Sequence, residues 1–268
     1  IRDDLQYRKN GNLIYINNEE ILDKGLTAEQ RFDQLKKMKE SNNKTNKDIF
    51  LSCIDNRLFG GVAPKSNIQL IGSVQFSWVK SLNKTETILK SGTGAFATKG
   101  KEGGAKFQKT FRADNYIPYG IFAMYGTINR IHAEMAKTSE NDIKEMLDSL
   151  WFGTKFLNTR SKEGQKPRML LRIVYNDESK YFIGLLEELV MLDNEESGMI
   201  RNIDEANINF EKLIKAIRRV ESQIDNIDIV MDTSMNRYRG EWENVLDNNR
   251  INFIDELDIN NKSNKGEI

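Results

Sequence analysis

The sequence predicts one α+β core that carries insertions, and three observations predict it. Segments of period-two alternation are interleaved with segments of helical period. The strands and helices lack evenly spaced crossovers, and no glycine fingerprint sits between a strand and a helix, which removes the dinucleotide-binding class. At 268 residues and 38% hydrophobic content the chain can bury one sizeable core, and no tandem repeat, zinc-ligand cluster or coiled coil competes with that reading.

Ile1–Leu5 reads as the tail of a helix already under way. Leu13–Ile16 is an apolar run of strand length. Thr27 and Gln30 have capping-box spacing, and Ala28, Phe32, Leu35 and Met38 then fall near helical period, so a helix is expected over 28–40. A polar, asparagine-rich linker follows from Glu40 to Lys47. Residues 48–62 approach a turn at Gly60-Gly61. The clearest strand is 68–79, where Ile68, Leu70, Gly72, Val74, Phe76 and Trp78 alternate with a polar, uncharged face.

Lys80 to Arg112 holds eight basic side chains against Glu86 and Glu102, with five glycines between them. It cannot be a helix and has too few apolar residues for its own core, so a long basic hairpin or arm is expected. Residues 116–126 are aromatic and apolar, which suits a buried strand with Pro118 near its start. Ser139 caps a helix expected over 140–151, striped by Ile143, Met146, Leu147 and Leu150. Met169–Tyr175 reads as a strand joined to Tyr181–Gly184 by a charged turn. A strong helix is expected over 205–222, then a strand at 227–231 and a short helix at 251–257, and the tail from Asn260 should fray.

The formal net charge is zero, but the balance is uneven along the chain. Residues 57–180 carry 20 basic and 11 acidic side chains, and residues 181–268 carry 10 and 19. A polyanion-binding face and an acidic face elsewhere are therefore compatible with neutrality. The longest apolar run is far shorter than a membrane span. The lone Cys53 cannot form an internal disulfide, and its scarcity fits a reducing, cytoplasmic setting.

Thr159–Arg168 places four basic groups, two hydroxyls, an amide and a glycine in ten residues, between a helix and a strand. Such a loop can hold successive phosphates, or it can be an ordinary solvated loop; the residues alone leave both open. It is not a Walker motif. The arm divides in the same way between polyanion contact and a solvated face, with Phe96, Phe107 and Phe111 packing its base or wedging against nucleobases. Arg57, beside Gly60-Gly61, is a further phosphate candidate. Asp55 suits a salt bridge or turn cap better than a metal, because no set of convergent carboxylates accompanies it. His132, the only histidine, reads as a packing or surface residue. Trp78, Trp151 and Trp242 read as core or interface anchors. No cofactor is implied.

Several ordered blocks resemble the repeated backbone subunit of type I-B CRISPR surveillance complexes (Cascade): Asp55–Gly61, Ile71–Trp78, Tyr119–Phe122, Leu150–Thr154, Thr159–Lys162, Gly164-Gln165 and Pro167–Leu170. Together they span about residues 50–190. The resemblance implies a ferredoxin-like, RNA-recognition-type core with inserted fingers and a thumb-like β-hairpin at about 80–115, within a single backbone-subunit domain. It implies a non-catalytic scaffold that polymerises along a guide RNA (crRNA) and presents it to target DNA. Partners would be other copies of itself, other Cascade subunits and a recruited helicase-nuclease. On that basis Arg57, Arg160, Lys162 and Arg168 become guide-backbone contacts, and the Lys80–Arg112 arm, with Lys80, Lys84 and Arg112, becomes the thumb. The resemblance also implies an N-terminal core strand with an asparagine- and glycine-rich turn, which this sequence does not contain. A generic single-stranded RNA-binding module and a metal-dependent ribonuclease are the alternative functions.

Overall fold

The computed structural model describes residues 1–7, 12–16, 25–39, 45–99, 105–159, 162–193, 200–247 and 250–255, with the backbone alone described at 93–99 and 105–112. The expected fraying tail lies outside these residues. Helix α1 (Arg2–Tyr7) opens the chain. The run at 13–16 is an extended segment with a single parallel bridge from Leu13 to Cys53, not the expected strand. The buried Asp55 carboxylate explains this, since it accepts the N–H groups of Tyr15 (2.7 Å) and Ile16 (3.0 Å) that a neighbouring strand would otherwise engage.

Helix α2 (Ala28–Lys39) begins on the expected reciprocal cap: Gln30 N–H donates to Thr27 Oγ1, and Thr27 N–H donates to Gln30 Oε1. Phe32 and Leu35 are buried, whereas Met38 faces solvent. Helices α3 (Asn46–Leu51) and α4 (Ile54–Phe59) follow, the first capped by Thr45. Strands β1 (Gly60–Ala63) and β2 (Ile68–Ile71) form an antiparallel hairpin. Strand β3 (Val74–Phe76) is separate, so the continuous strand expected over 68–79 is broken at Gly72. The break is steric. A Cβ at Gly72 would lie 2.3 Å from both the Gly60 nitrogen and the Leu58 carbonyl oxygen, so the chain passes against the end of α4 where a side chain does not fit.

Strand β4 (Lys80–Ser81) leads to a long antiparallel hairpin, β5 (Ile88–Lys99) and β6 (Ala105–Tyr116). The buried strand expected at 116–126 is not there. Only β7 (Phe122–Ala123) pairs, with β4, and β8 (Gly126–Ile128) pairs with β3. Pro118 offers no N–H to a ladder, and the Phe122 ring occupies the space a side chain at residue 120 would need. Phe122 and Met124 are exposed instead.

After α5 (Arg130–Ala136), helix α6 (Glu140–Lys155) starts on a Ser139–Asp142 capping box. Strand β9 (Met169–Tyr175) is as expected, but Tyr181–Gly184 is not its partner strand. Gly184 and Leu185 both have positive φ (70° and 38°), which ends extended backbone there. Strands β10 (Met191–Leu192) and β11 (Ile208–Asn209) pair ahead of α7 (Glu211–Arg219), which is shorter than the expected 205–222. Strand β12 (Ile224–Met231) pairs antiparallel with β9 and parallel with β13 (Ile251–Phe253), so 251–253 is a strand where a helix was expected. Its Ile254 N–H continues the ladder to Ile229.

The chain packs as two compact units, one of 1–77, 125–176 and 224–268, the other of 78–124 and 177–223. In the first, Leu5, Ile54, Leu58, Val74, Ile143 and Met146 join α1, α4 and α6, and Trp151 and Phe152 fix α6 to Val230 of the β9–β12–β13 sheet. A second cluster packs Phe32 and Leu35 against Phe50, whose ring meets that of Tyr15 edge-on at 5.3 Å. In the other unit Leu213, Ile214 and Ile217 bury the inner side of α7. Gly72→Ala is expected to cost at least about 2 kcal/mol in denaturant titration, because backbone and not a flexible side chain must move. Gly240→Ala, where nothing lies within 4 Å, should change stability by less than about 1 kcal/mol.

Candidate nucleic-acid interface

Arg57 is turned inward, onto a carboxylate. From α4 its guanidinium grips the Asp142 carboxylate with two bonds, Nε to Oδ2 at 2.9 Å and Nη2 to Oδ1 at 2.5 Å, while Nη1 donates to the Leu51 carbonyl at 2.8 Å. Little of it reaches solvent. Its own carbonyl accepts from Ser73 N–H and from the hydroxyls of Ser73 and Thr138. Asp142 is also the third residue of α6 and closes the Ser139 cap, so one carboxylate joins two helices. Burial alone would raise its pKa. The Arg57 and Ser139 hydrogen bonds outweigh burial and hold it below the ordinary carboxylate value.

Asp55 is likewise structural, since Arg2 Nε adds a 3.3 Å bond to the two backbone donors it already accepts. Among the described residues no three His, Cys, Asp or Glu side chains converge as a metal site. Cys53 is buried, and that burial pushes its thiol up to about 12. His132 lies in α5, with its backbone N–H donated to Asn129.

The basic loop between α6 and β9 stands at the surface of the first unit. Thr159 carbonyl accepts the N–H groups of Lys162 (3.0 Å) and Glu163 (2.9 Å), and Lys162 carbonyl accepts from Gln165, with Gly164 at φ 82° completing the turn. Lys162 and Lys166 are exposed. Arg160 and Ser161 lie outside the described residues. Arg168, at the foot of the loop, donates to Asp232 (2.6 Å) and Ser234 (3.2 Å), which anchors the loop's exit to the end of β12.

In the second unit the basic arm is a hairpin whose two strands are twelve residues each. Its pairing shifts between Thr93 and Ala97 and again between Ala97 and Lys99. Arg112 lies in β6 opposite Gly92, within the stretch described by backbone alone. Lys84 is exposed ahead of the hairpin, and Lys90 lies over the Tyr116 ring at 4.7 Å. Lys80 is paired, at 2.6 Å to Glu188 and 3.7 Å to Glu187. The candidates thus fall in two groups: Lys162 and Arg168 in one unit, Lys80, Lys84 and Arg112 in the other.

Sequence reasoning missed the partners of Arg57, Arg168 and Lys80 and the exposure of Trp78. The first three partners lie 85, 64 and 108 residues away, beyond any local pattern. Trp151 and Trp242 are buried, as expected of core anchors, whereas Trp78 is exposed.

These features define a mixed α+β protein with an extended basic hairpin and a separate basic loop. Residues 1–211 match the family model described as CRISPR-associated protein Cas7. The CRISPR-associated protein Cas7 of Haloferax volcanii is 32% identical over 172 residues, which cover 60% of this chain and 47% of that protein. The chain therefore spans about half the length of this curated relative. A solved chain described as "CRISPR RNA-guided surveillance complex, pre-nicking" aligns with a TM-score of 0.40 and 14% identity, over 72% of this chain and 55% of that one. This chain belongs to the Cas7 family of CRISPR-associated proteins. No helix among the described residues is long and apolar enough to cross a membrane.

Asp142→Asn would leave the Arg57 guanidinium without its counter-charge and is expected to cost about 3 kcal/mol at pH 7. Because the native pKa is lowered, the wild-type advantage is complete above the ordinary value of 3.8 and disappears as pH falls through the depressed one. Urea titrations of both proteins from pH 7 downward should therefore converge in strong acid.

Proposed function

We propose that this chain is a guide-RNA (crRNA) backbone-binding scaffold subunit of a type I-B Cascade, polymerising along the RNA and presenting it for pairing with target DNA. The observation that carries the reading is the basic hairpin of β5 and β6 on a chain of the Cas7 family. The ordered sequence blocks support the type I-B branch. The antiparallel β9–β12 pair with α6 against it supports a ferredoxin-like arrangement at the heart of the first unit.

In this reading the chain contributes charge and shape, and base pairing contributes sequence selection. Lys84 and Lys162 meet phosphates as exposed point charges, joined by Arg112 and Arg160. Lys80 and Arg168 already hold carboxylates, so a phosphate would have to displace Glu188 or Asp232, and they rank behind the exposed lysines. The hairpin acts as a thumb that interrupts the guide at regular intervals. The subunit is non-catalytic and cytoplasmic, and it works with other copies of itself, other Cascade subunits and a recruited helicase-nuclease.

Light-scattering mass measurements on the full chain titrated with guide-length RNA test the proposal. Stepwise growth to a particle limited by RNA length is expected. In an Arg160→Gln/Lys162→Gln variant the RNA affinity should fall at physiological salt, and the slope of log affinity against log salt should drop by about one to two. A one-to-one complex whatever the RNA length, or affinity indifferent to this loop, would contradict the assembly or the site respectively.

A further inference from the structure

Three tryptophans divide sharply by environment: Trp151 is 2% exposed, Trp242 0% and Trp78 90%. A tryptophan is among the costliest side chains to leave in water, since burying an aromatic of this size removes well over a hundred square ångströms of apolar surface from it. The exposure of Trp78 is built into the backbone. Alternation from Val74 and Phe76 would turn residue 78 inward, but the ladder does not continue evenly. Ser77 N–H donates to the Tyr125 carbonyl at 2.8 Å, Tyr125 N–H donates to Ser77 Oγ at 3.2 Å, and the next pair is Lys80 with Ala123. Between these pairs Trp78, Val79 and Met124 lie outside any strand, so the alternation of β3 does not carry on to residue 78.

This stretch presents an apolar surface of Trp78, Val79 and Met124, all exposed, with Phe122, also exposed, two residues before Met124 and opposite Ser81. The basic arm begins two residues after Trp78, with Lys84 and Lys90 exposed and Lys80 held by Glu188. An exposed aromatic side chain that leads along the chain into exposed cations matches the repeating unit of a single-stranded nucleic acid, one base and one phosphate.

We infer that Trp78 is a stacking platform for an unpaired nucleobase of single-stranded RNA, with Val79 and Met124 beneath the same base and Lys84 nearest its phosphate. This rests on the RNA-binding reading above and adds to it a residue that contacts bases without selecting among them.

The two buried tryptophans make the test direct, because the solvent-sensitive part of the emission belongs to Trp78. The full chain is titrated with a mixed-sequence single-stranded RNA while intrinsic fluorescence is read, and affinity is measured separately by anisotropy of the same RNA carrying a terminal dye. RNA should quench an acrylamide-accessible emission that is absent from Trp78→Phe. Trp78→Ala should weaken RNA binding about tenfold, and Trp78→Phe should retain most of it. RNA that binds with unchanged Trp78 emission and unchanged affinity in Trp78→Ala overturns the stacking role and leaves the scaffold reading intact. Emission that shifts with protein concentration but not with RNA also overturns it, by assigning Trp78 to a protein contact. Absence of any RNA binding overturns both.

Discussion

The first unit is organised around one arginine. Arg57, in the last turn of α4, holds Asp142 on the first turn of α6, takes the last carbonyl of α3 and offers its own carbonyl to Ser73 and Thr138. A single residue thereby ties the start of α6 to the end of α3 and to Ser73, which leads into β3. Because Asp142 is also the closing member of the Ser139 cap, the ion pair and the helix start depend on each other. Gly72 passes close against Leu58 and Gly60, at the same end of α4 as Arg57.

What this frame leaves over is the material for binding. With α6 locked at its first turn by Asp142 and against the sheet by Trp151, the loop that follows it begins from a fixed point and ends on the Arg168–Asp232 pair. Exposed Lys162 and Lys166 lie between those anchors, with the Lys162 N–H bonded to the Thr159 carbonyl. The basic hairpin rises in the other unit from the β4–β7 pair, which Asn83 stabilises by accepting the Ile121 N–H. Scaffolding needs charges held at defined places, and both basic segments start and finish on hydrogen-bonded anchors.

Locally coded features were readable from the residues. The caps at Thr27 and Ser139 were legible because a hydroxyl three residues before its partner forms the same bond in almost any context, and the stripe of Leu213, Ile214 and Ile217 survives as a buried face. The hairpin was legible from its glycines and lack of a core. Features set by distant partners were not. Leu13–Ile16 has strand composition, yet Asp55 takes its donors; residues 116–126 are apolar, yet Pro118 and Gly120 leave them in pieces. Arg57 beside a glycine pair looks the same in sequence whether it faces phosphate or an aspartate 85 residues on. The excursion at 177–223 turns acidic, but nothing local in it marks it as part of a second unit with 78–124.

The central claim is that copies of this chain line an RNA at fixed spacing. Hydroxyl-radical footprinting of guide-length RNA saturated with the full chain reads that spacing directly. Protection should recur at a constant interval, with one further repeat for each increment of RNA that admits another copy. A single protected patch, or protection without a period, would contradict the account.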